Sequence, residues 1–220
     1  MSKLIRILGI VLIGVLIFLE QVLELNSFVK QGYKIILLVI IPLVVIYFVK
    51  KTTFIKEYNI KDVTISHLKT SFIIGGTLFV LTIIGYFILK VIIEPDILVS
   101  GLNDRGITLQ NIILAGIYLS FVNSFIEEFF FRGFIYQHFL KINKLTGYLV
   151  SSALFTVYHV LVLFGIFNIG MGIVAVFGLM GVGLFLVYVN ETNKSIINSW
   201  IVHIFADIAV VLIGVYLFLL

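Results

Sequence analysis

The sequence contains no cysteine, only two prolines and a single tryptophan, and few of its residues are charged. The absence of cysteine excludes disulfides, cysteine-ligated zinc and thiol catalysis together. Charged residues make up 12% of the chain and hydrophobic residues 61%. An average soluble domain has about 25% charged and about 45–50% apolar residues. These proportions exclude an ordinary soluble domain and indicate a polytopic membrane protein.

Seven apolar runs are long enough to cross a membrane as helices, which takes about 20 residues each. They cover residues 4–25, 33–49, 70–93, 108–131 with a helical continuation to residue 140, 145–167, 169–189 and 195–219. Barrel-type strand alternation is absent, so the predicted fold class is all-α, a polytopic transmembrane helix bundle with about seven membrane helices. We interpret the charged segment 50–69 as a loop rather than an interfacial helix.

Lysine and arginine are concentrated in the segments that seven spans would place on one side of the membrane, as is typical of the cytoplasmic side. The net charge of +4 is modest, and the basic residues flank apolar spans, so we read them as topology signals and expect no nucleic-acid partner. Lys30 and Lys34 fall in a loop on the opposite side. We expect an integral protein of a bacterial plasma membrane with a cytoplasmic N-terminus. Its first helix is expected to stay uncleaved, because no small-residue cleavage site precedes Glu20.

A small set of strongly polar side chains lies within the last four apolar runs. Ionisable groups in hydrocarbon cost roughly 2.5–3.5 kcal/mol each and are usually functional. The set comprises Asn123, Ser124, Glu127, Glu128 and Arg132 in the fourth run, His159 in the fifth, and Asn198, His203 and Asp207 in the seventh. We expect the function of the protein to lie at these residues.

The spacing of these residues predicts which of them share a helix face. Glu128 and Arg132 are four residues apart and can pair on one face. Glu127 then points about 100° away and is free to face a cavity. His203 and Asp207 are also four residues apart and can share a face.

Simpler structural roles account for several of the remaining residues. We expect the aromatic run 129–131 to contact lipid, and His67 and His138 to be solvated in polar segments. A single membrane histidine more often bonds a neighbouring helix than takes part in chemistry. Three acids and two imidazoles together favour a functional site, and we expect Glu127, His159 and His203 to converge in the cytoplasmic half of the membrane.

The motifs around these residues resemble those of a known family. The sequences E-E-F-F-F-R, F-T-V-Y-H and H-I-F-A-D match the patterns E-E-x-x-x-R, F-x-x-x-H and H-x-x-x-N/D. In this order they are the signature of the CAAX protease and bacteriocin-processing (CPBP or Abi) family of intramembrane proteases. The resemblance covers residues 109–212. It divides one integrated membrane domain into N-terminal helices of uncertain role (1–107) and helices that resemble the catalytic core (108–220).

The resemblance implies two groups of site residues. The catalytic residues would be Glu127, His159, His203 and Asp207, and the residues that support the site would be Glu128 and Arg132. Glu127 would polarise the attacking water, with His159 helping to hold it. His203 and Asp207 would stabilise the oxyanion.

Two chemical questions stay open at this point. Family members are often labelled metalloproteases, and Glu127, His159 and His203 are the candidate ligands if a metal is present, with zinc the candidate ion. Yet no H-E-x-x-H motif occurs, and a glutamate-activated water needs no metal. An ionised Asp207 can only accept hydrogen bonds, so it must be held neutral, orient His203 or bind metal.

These observations predict an intramembrane endopeptidase that hydrolyses a peptide bond in a membrane-associated or prenylated peptide or protein. The expected partners are that lipid-modified or membrane-bound substrate and the lipid bilayer. One alternative is a non-catalytic bacteriocin self-immunity protein that binds a peptide or its receptor. A proton-coupled transporter is a third, although it would usually have more helices and an internal repeat. The substrate and the oligomeric state are left open by the sequence.

Overall fold

The computed structural model describes residues 2–22, 27–57, 63–90, 95–162 and 169–220, and all regular structure in these ranges is helical. Seven helices are long and apolar enough to span a membrane, which confirms the predicted class. The helices are α1 (Ser2–Val22), α2 (Ser27–Ile35, Ile36–Ile40 and Ile41–Lys50 in succession), α3 (Phe54–Glu57), α4 (Ile65–Leu89), α5 (Pro95–Asn103), α6 (Ile112–Phe139), α7 (Lys144–Val162), α8 (Ile169–Asn193) and α9 (Ile196–Phe218).

The start of α4 differs from the predicted one because a side chain caps the helix. Helix α4 begins at Ile65, earlier than the predicted residue 70, because the Thr64 hydroxyl accepts a hydrogen bond from the backbone N–H of His67 at 3.2 Å. The predicted ends of the first, third and fifth spans (residues 23–25, 91–93 and 163–167) lie outside the described residues.

Helix α6 is not a regular α-helix along its length. Two π-helical stretches, Tyr118–Asn123 and Phe129–Tyr136, flank a short α-helical turn, Ser124–Glu128. The wider turn is visible where the backbone N–H of Ser124 donates to the carbonyl of Leu119. Such π turns are rare and occur frequently at functional sites. They enclose the two adjacent glutamates on one turn of regular helix.

The core of the bundle is built on the phenylalanines of α6. Phe129, Phe130 and Phe131 are at most 1% exposed, so the prediction that they contact lipid is wrong. They belong to one cluster with Leu16 of α1 and Leu38 of α2. Hydrophobicity alone could not reveal this, because a bilayer and a protein interior are similarly apolar. Helices on both sides of residue 107 therefore share one core.

His138, near the end of α6, is also buried, and its predicted solvation is wrong. Its Nδ1–H donates to the carbonyl of Phe134 at 2.6 Å, and its ring lies 4.9 Å from the Phe134 ring. Helix α6 continues past its apolar run and stays enclosed by neighbouring helices. The polar sequence around His138 therefore does not make this segment solvated.

Helix α9 approaches its neighbours closely at two glycines. A Cβ at Gly75 of α4 would lie 2.5 Å from Cδ2 of Phe205, and a Cβ at Gly116 of α6 would lie 2.6 Å from Cγ1 of Val211. Real Cβ atoms do not approach so closely, so a larger residue at either position would push α9 away. The contact at Gly116 brings α9 alongside the helix that carries the glutamates.

Candidate active site

Glu127 lies at the centre of the polar site and is 2% exposed. Its Oε2 is 3.3 Å from Nε2 of His159 and 3.9 Å from Nε2 of His203. The same oxygen has no hydrogen-bond partner among the described residues. Three helices, α6, α7 and α9, thus bring an acid and two imidazoles together around one carboxylate oxygen.

The orientation of His159 is set by its own helix. Its Nδ1 lies 2.8 Å from the carbonyl oxygen of Phe155, one turn earlier. A carbonyl can only accept, so Nδ1 carries the proton, and in the neutral ring Nε2 is left with a lone pair. This nitrogen lies 3.3 Å from Oε2 of Glu127, so two atoms that can accept a hydrogen bond lie close together and suit a shared donor.

His203 is held by the second glutamate. Its Nδ1 lies 2.9 Å from Oε1 of Glu128, and the same oxygen is 3.0 Å from Nη1 of Arg132. The ion pair between Glu128 and Arg132 that their spacing predicts is therefore present, and both side chains are fully buried. The guanidinium carbon also lies 4.4 Å from the centre of the Phe155 ring. The fully buried pair of Glu128 and Arg132 thus anchors this imidazole at its Nδ1 atom.

Asp207 approaches the other nitrogen of the same ring. Its Oδ1 is 3.6 Å from Nε2 of His203, as their spacing in α9 predicts. Its side chain is 16% exposed and that of His159 is 22% exposed, whereas the side chain of Glu127 is only 2% exposed. Among these side chains, His159 and Asp207 are therefore partly exposed, and the central carboxylate is buried.

Lys34 is the site residue that the sequence reading placed wrongly. It lies inside the span Val29–Val49 and is 4% exposed, and it does not sit in a loop on the opposite side. Its Nζ is 2.9 Å from Oε1 of Glu127 and also donates to Oδ1 of Asn123. The Asn123 amide donates to the same Glu127 oxygen at 2.8 Å. A lysine within an apolar run was the available signal, because ionisable groups there are usually functional.

Polar residues near the site tie neighbouring helices together. The indole N–H of Trp200 donates to the Ser124 hydroxyl at 3.1 Å and links α9 to α6. Asn198, which the sequence left without a role, accepts a hydrogen bond from the Ser71 hydroxyl at 2.9 Å and links α9 to α4. Both contacts hold the helix that bears His203 in place.

The donor atoms of the site are not arranged as a set of metal ligands. Within the described ranges, no group of three His, Cys, Asp or Glu side chains is arranged to hold a metal ion. One oxygen of Glu127 is in addition bound by the Lys34 ammonium, which would repel a divalent cation. The residues do not fit a three-ligand zinc set, so we derive no step through a metal. The zinc site stays a prediction, which the chelation experiment below tests.

Fold and site together define a membrane-embedded helical protein whose acid and imidazoles are enclosed by its spanning helices. Residues 109–209 match the family model described as "Type II CAAX prenyl endopeptidase Rce1-like". This segment is therefore similar to the Rce1-like family, and the resemblance to the CPBP family is confirmed. The comparisons with curated proteins and with solved structures gave no match.

Proposed function

We propose that the protein is an intramembrane endopeptidase that hydrolyses a peptide bond in a membrane-associated or prenylated substrate, using Glu127 to activate water. One observation carries this proposal: Oε2 of Glu127 is 3.3 and 3.9 Å from the Nε2 atoms of His159 and His203 inside a buried site. The match of this segment to a protease family supports the same class of reaction.

Water activation follows from the hydrogen-bonding capacity of Glu127 and His159. A water molecule that donates to Oε2 and to Nε2 directs its own lone pair away from both and toward a substrate carbonyl. As the oxygen attacks, one proton passes to the Glu127 carboxylate, which acts as general base. The protonated carboxyl then supplies that proton to the leaving amine. His159 holds the water during the attack.

Stabilisation of the oxyanion is assigned to His203. The Nδ1–H group of His203 donates to Glu128. When the ring is doubly protonated, its Nε2–H group is the donor that the oxyanion of a tetrahedral intermediate needs. The Glu128 carboxylate balances the charge of that ring and is itself paired with Arg132. Asp207 lies beside Nε2, which favours a role in orienting His203 over direct donation to the oxyanion.

The family match and the location of the site support the proposed substrate class. A CAAX prenyl endopeptidase domain and seven membrane-spanning helices together favour a peptide that is held at the membrane by its lipid or by its own apolar residues. A lipid anchor confines such a peptide to the bilayer plane, where it can reach a site enclosed by helices.

Cleavage of a fluorogenic farnesylated CAAX peptide by purified protein in liposomes tests the proposal. Glu127→Gln keeps the size of the side chain but removes the base, and we expect a loss of at least about 10²–10⁴-fold in kcat. Glu20→Gln is the matched control, because Glu20 is a membrane acid that pairs with Lys30 in the N-terminal helices. Full activity of the Glu127→Gln protein would refute the assigned role. If a bacteriocin-protection phenotype survived this substitution, the immunity alternative would be supported instead.

A further inference from the structure

The two oxygens of Glu127 have different surroundings. Oε2 faces the imidazoles of His159 and His203. Oε1 accepts from Nζ of Lys34 at 2.9 Å and from the Asn123 amide at 2.8 Å. The Asn123 carbonyl oxygen in turn accepts from Lys34, so these three side chains form a closed triangle of hydrogen bonds.

We propose that Lys34 is a positioning residue of the active site, which holds Glu127 so that its free oxygen is presented to the imidazoles. This inference rests on the proposed function. Lys34 belongs to α2, outside the family-matched residues 109–209, so the N-terminal helices complete the site and are more than a membrane anchor.

Charge balance supports the same assignment. The two adjacent carboxylates each have a buried cation at about 3 Å: Arg132 beside Glu128 and Lys34 beside Glu127. A buried carboxylate without a counter-charge is strongly unfavourable. The Lys34 ammonium also lies 5.0 Å from the centre of the Tyr158 ring, whose π face adds an attraction for the cation. The buried Lys34 ammonium thus has contacts with Asn123, Glu127 and Tyr158, all within reach of the site.

A purely structural role for Lys34 would resemble the role of its neighbour Lys30. Lys30 pairs with Glu20 at 3.4 Å, and both side chains are partly exposed. That pair ties α2 to α1, and in the described part of the chain it makes no hydrogen bond or ion pair with Glu127, His159 or His203. Lys30→Met is therefore the matched control for Lys34→Met: the same substitution, on the same helix, about one turn away.

Steady-state cleavage of the farnesylated CAAX peptide, normalised to folded protein, distinguishes the two roles. Because Lys34 acts through Glu127 and has no contact with substrate, Lys34→Met is expected to lower kcat by about 100-fold with KM changed by less than about 2-fold. Lys34→Arg keeps the charge and should recover part of kcat, and Lys30→Met should match the parent. Where Lys34→Met does not fold, Lys34→Gln provides the uncharged comparison.

The outcomes separate this inference from the proposed function. A lower yield of folded Lys34→Met or Lys34→Gln protein with parental kcat per folded molecule would overturn the positioning role, as would a rise in KM at unchanged kcat. If the parent cleaves and Glu127→Gln does not, but Lys34→Met remains active, only the present inference fails. If the parent does not cleave, or Glu127→Gln cleaves as well as the parent, the proposed function fails and this inference with it.

Discussion

Replacing Arg132 alone should cost more stability than replacing Arg132 together with Glu128. The two side chains are fully buried, with Nη1 and Oε1 3.0 Å apart. Removing one partner of a buried ion pair typically costs about 3–5 kcal/mol, because the remaining charge is left uncompensated. Loss of the guanidinium from the face of Phe155 adds about 0.5–2 kcal/mol. His203 still donates to Glu128, and this contact offsets part of the cost. We therefore expect Arg132→Met to lower the free energy of unfolding by about 3–5 kcal/mol in total.

The double variant Arg132→Met/Glu128→Gln removes both charges and should recover most of this loss. Replacing a buried pair with neutral groups is often neutral or stabilising by about 1–4 kcal/mol. Cleavage should not recover with stability. The amide that replaces the Glu128 carboxylate can still accept from His203, but it carries no charge to balance a protonated ring.

The single tryptophan of the chain makes the stability of these two variants measurable by fluorescence. The Trp200 indole donates to Ser124 at 3.1 Å and packs edge-on against Phe125 with ring centres 5.1 Å apart, so its fluorescence reports the contact between α9 and α6. Unfolding in detergent micelles is followed by this signal, and peptide cleavage is measured on the same samples. A double variant that unfolds as readily as Arg132→Met would refute the charge argument and leave packing as the role of Arg132.

Three further predictions concern metal, helix packing and the oxyanion side. Chelation should leave peptide cleavage unchanged, because no step of the proposed mechanism uses a metal and an ammonium already binds Glu127. Gly75→Ala should destabilise the protein by about 1–3 kcal/mol, because the added Cβ would lie 2.5 Å from the Phe205 ring. Asp207→Asn should retain activity, since an amide can still accept and can also donate to the oxyanion, whereas Asp207→Leu should lose at least about 10-fold in kcat.

Each of these predictions has a control. Loss of cleavage on chelation, with recovery on added zinc, would contradict the metal-free mechanism and support the zinc alternative. Gly76→Ala is the control for Gly75→Ala, because a Cβ there would meet nothing within 4 Å. Equal melting temperatures for the two alanine variants would count against the packing argument. Equal kinetics for Asp207→Asn and Asp207→Leu would remove Asp207 from the mechanism.

Much of the candidate site could be predicted because its motifs are local. The pairing of Glu128 with Arg132 and the proximity of His203 to Asp207 follow from a spacing of four residues on a helix. The meeting of Glu127 with the imidazoles was an expectation drawn from depth and from the order of the motifs. The structure places these groups together.

What could not be predicted depends on contacts between distant helices. Lys34 and Glu127 are separated by 93 residues, and a count of basic residues at helix ends assigned Lys34 to a loop. Lys34 lies inside an apolar span, where an ionisable side chain indicates a functional site more than a topology signal. The π turns around Ser124–Glu128 also carry no simple sequence signature, since most of their residues are apolar and fit an α-helix equally well.

The sequence by itself determined that this is an all-helical membrane protein, where its spans run, and which polar side chains share a helix face. These properties depend on hydropathy, on the rise per residue and on the helical period, all of which are local. Only the tertiary structure decided which faces meet: that Phe129, Phe130 and Phe131 point into the core, and that Lys34 reaches Glu127. The reason is physical, because an apolar side chain is similarly stable against lipid and against protein, so its hydrophobicity does not reveal its neighbour.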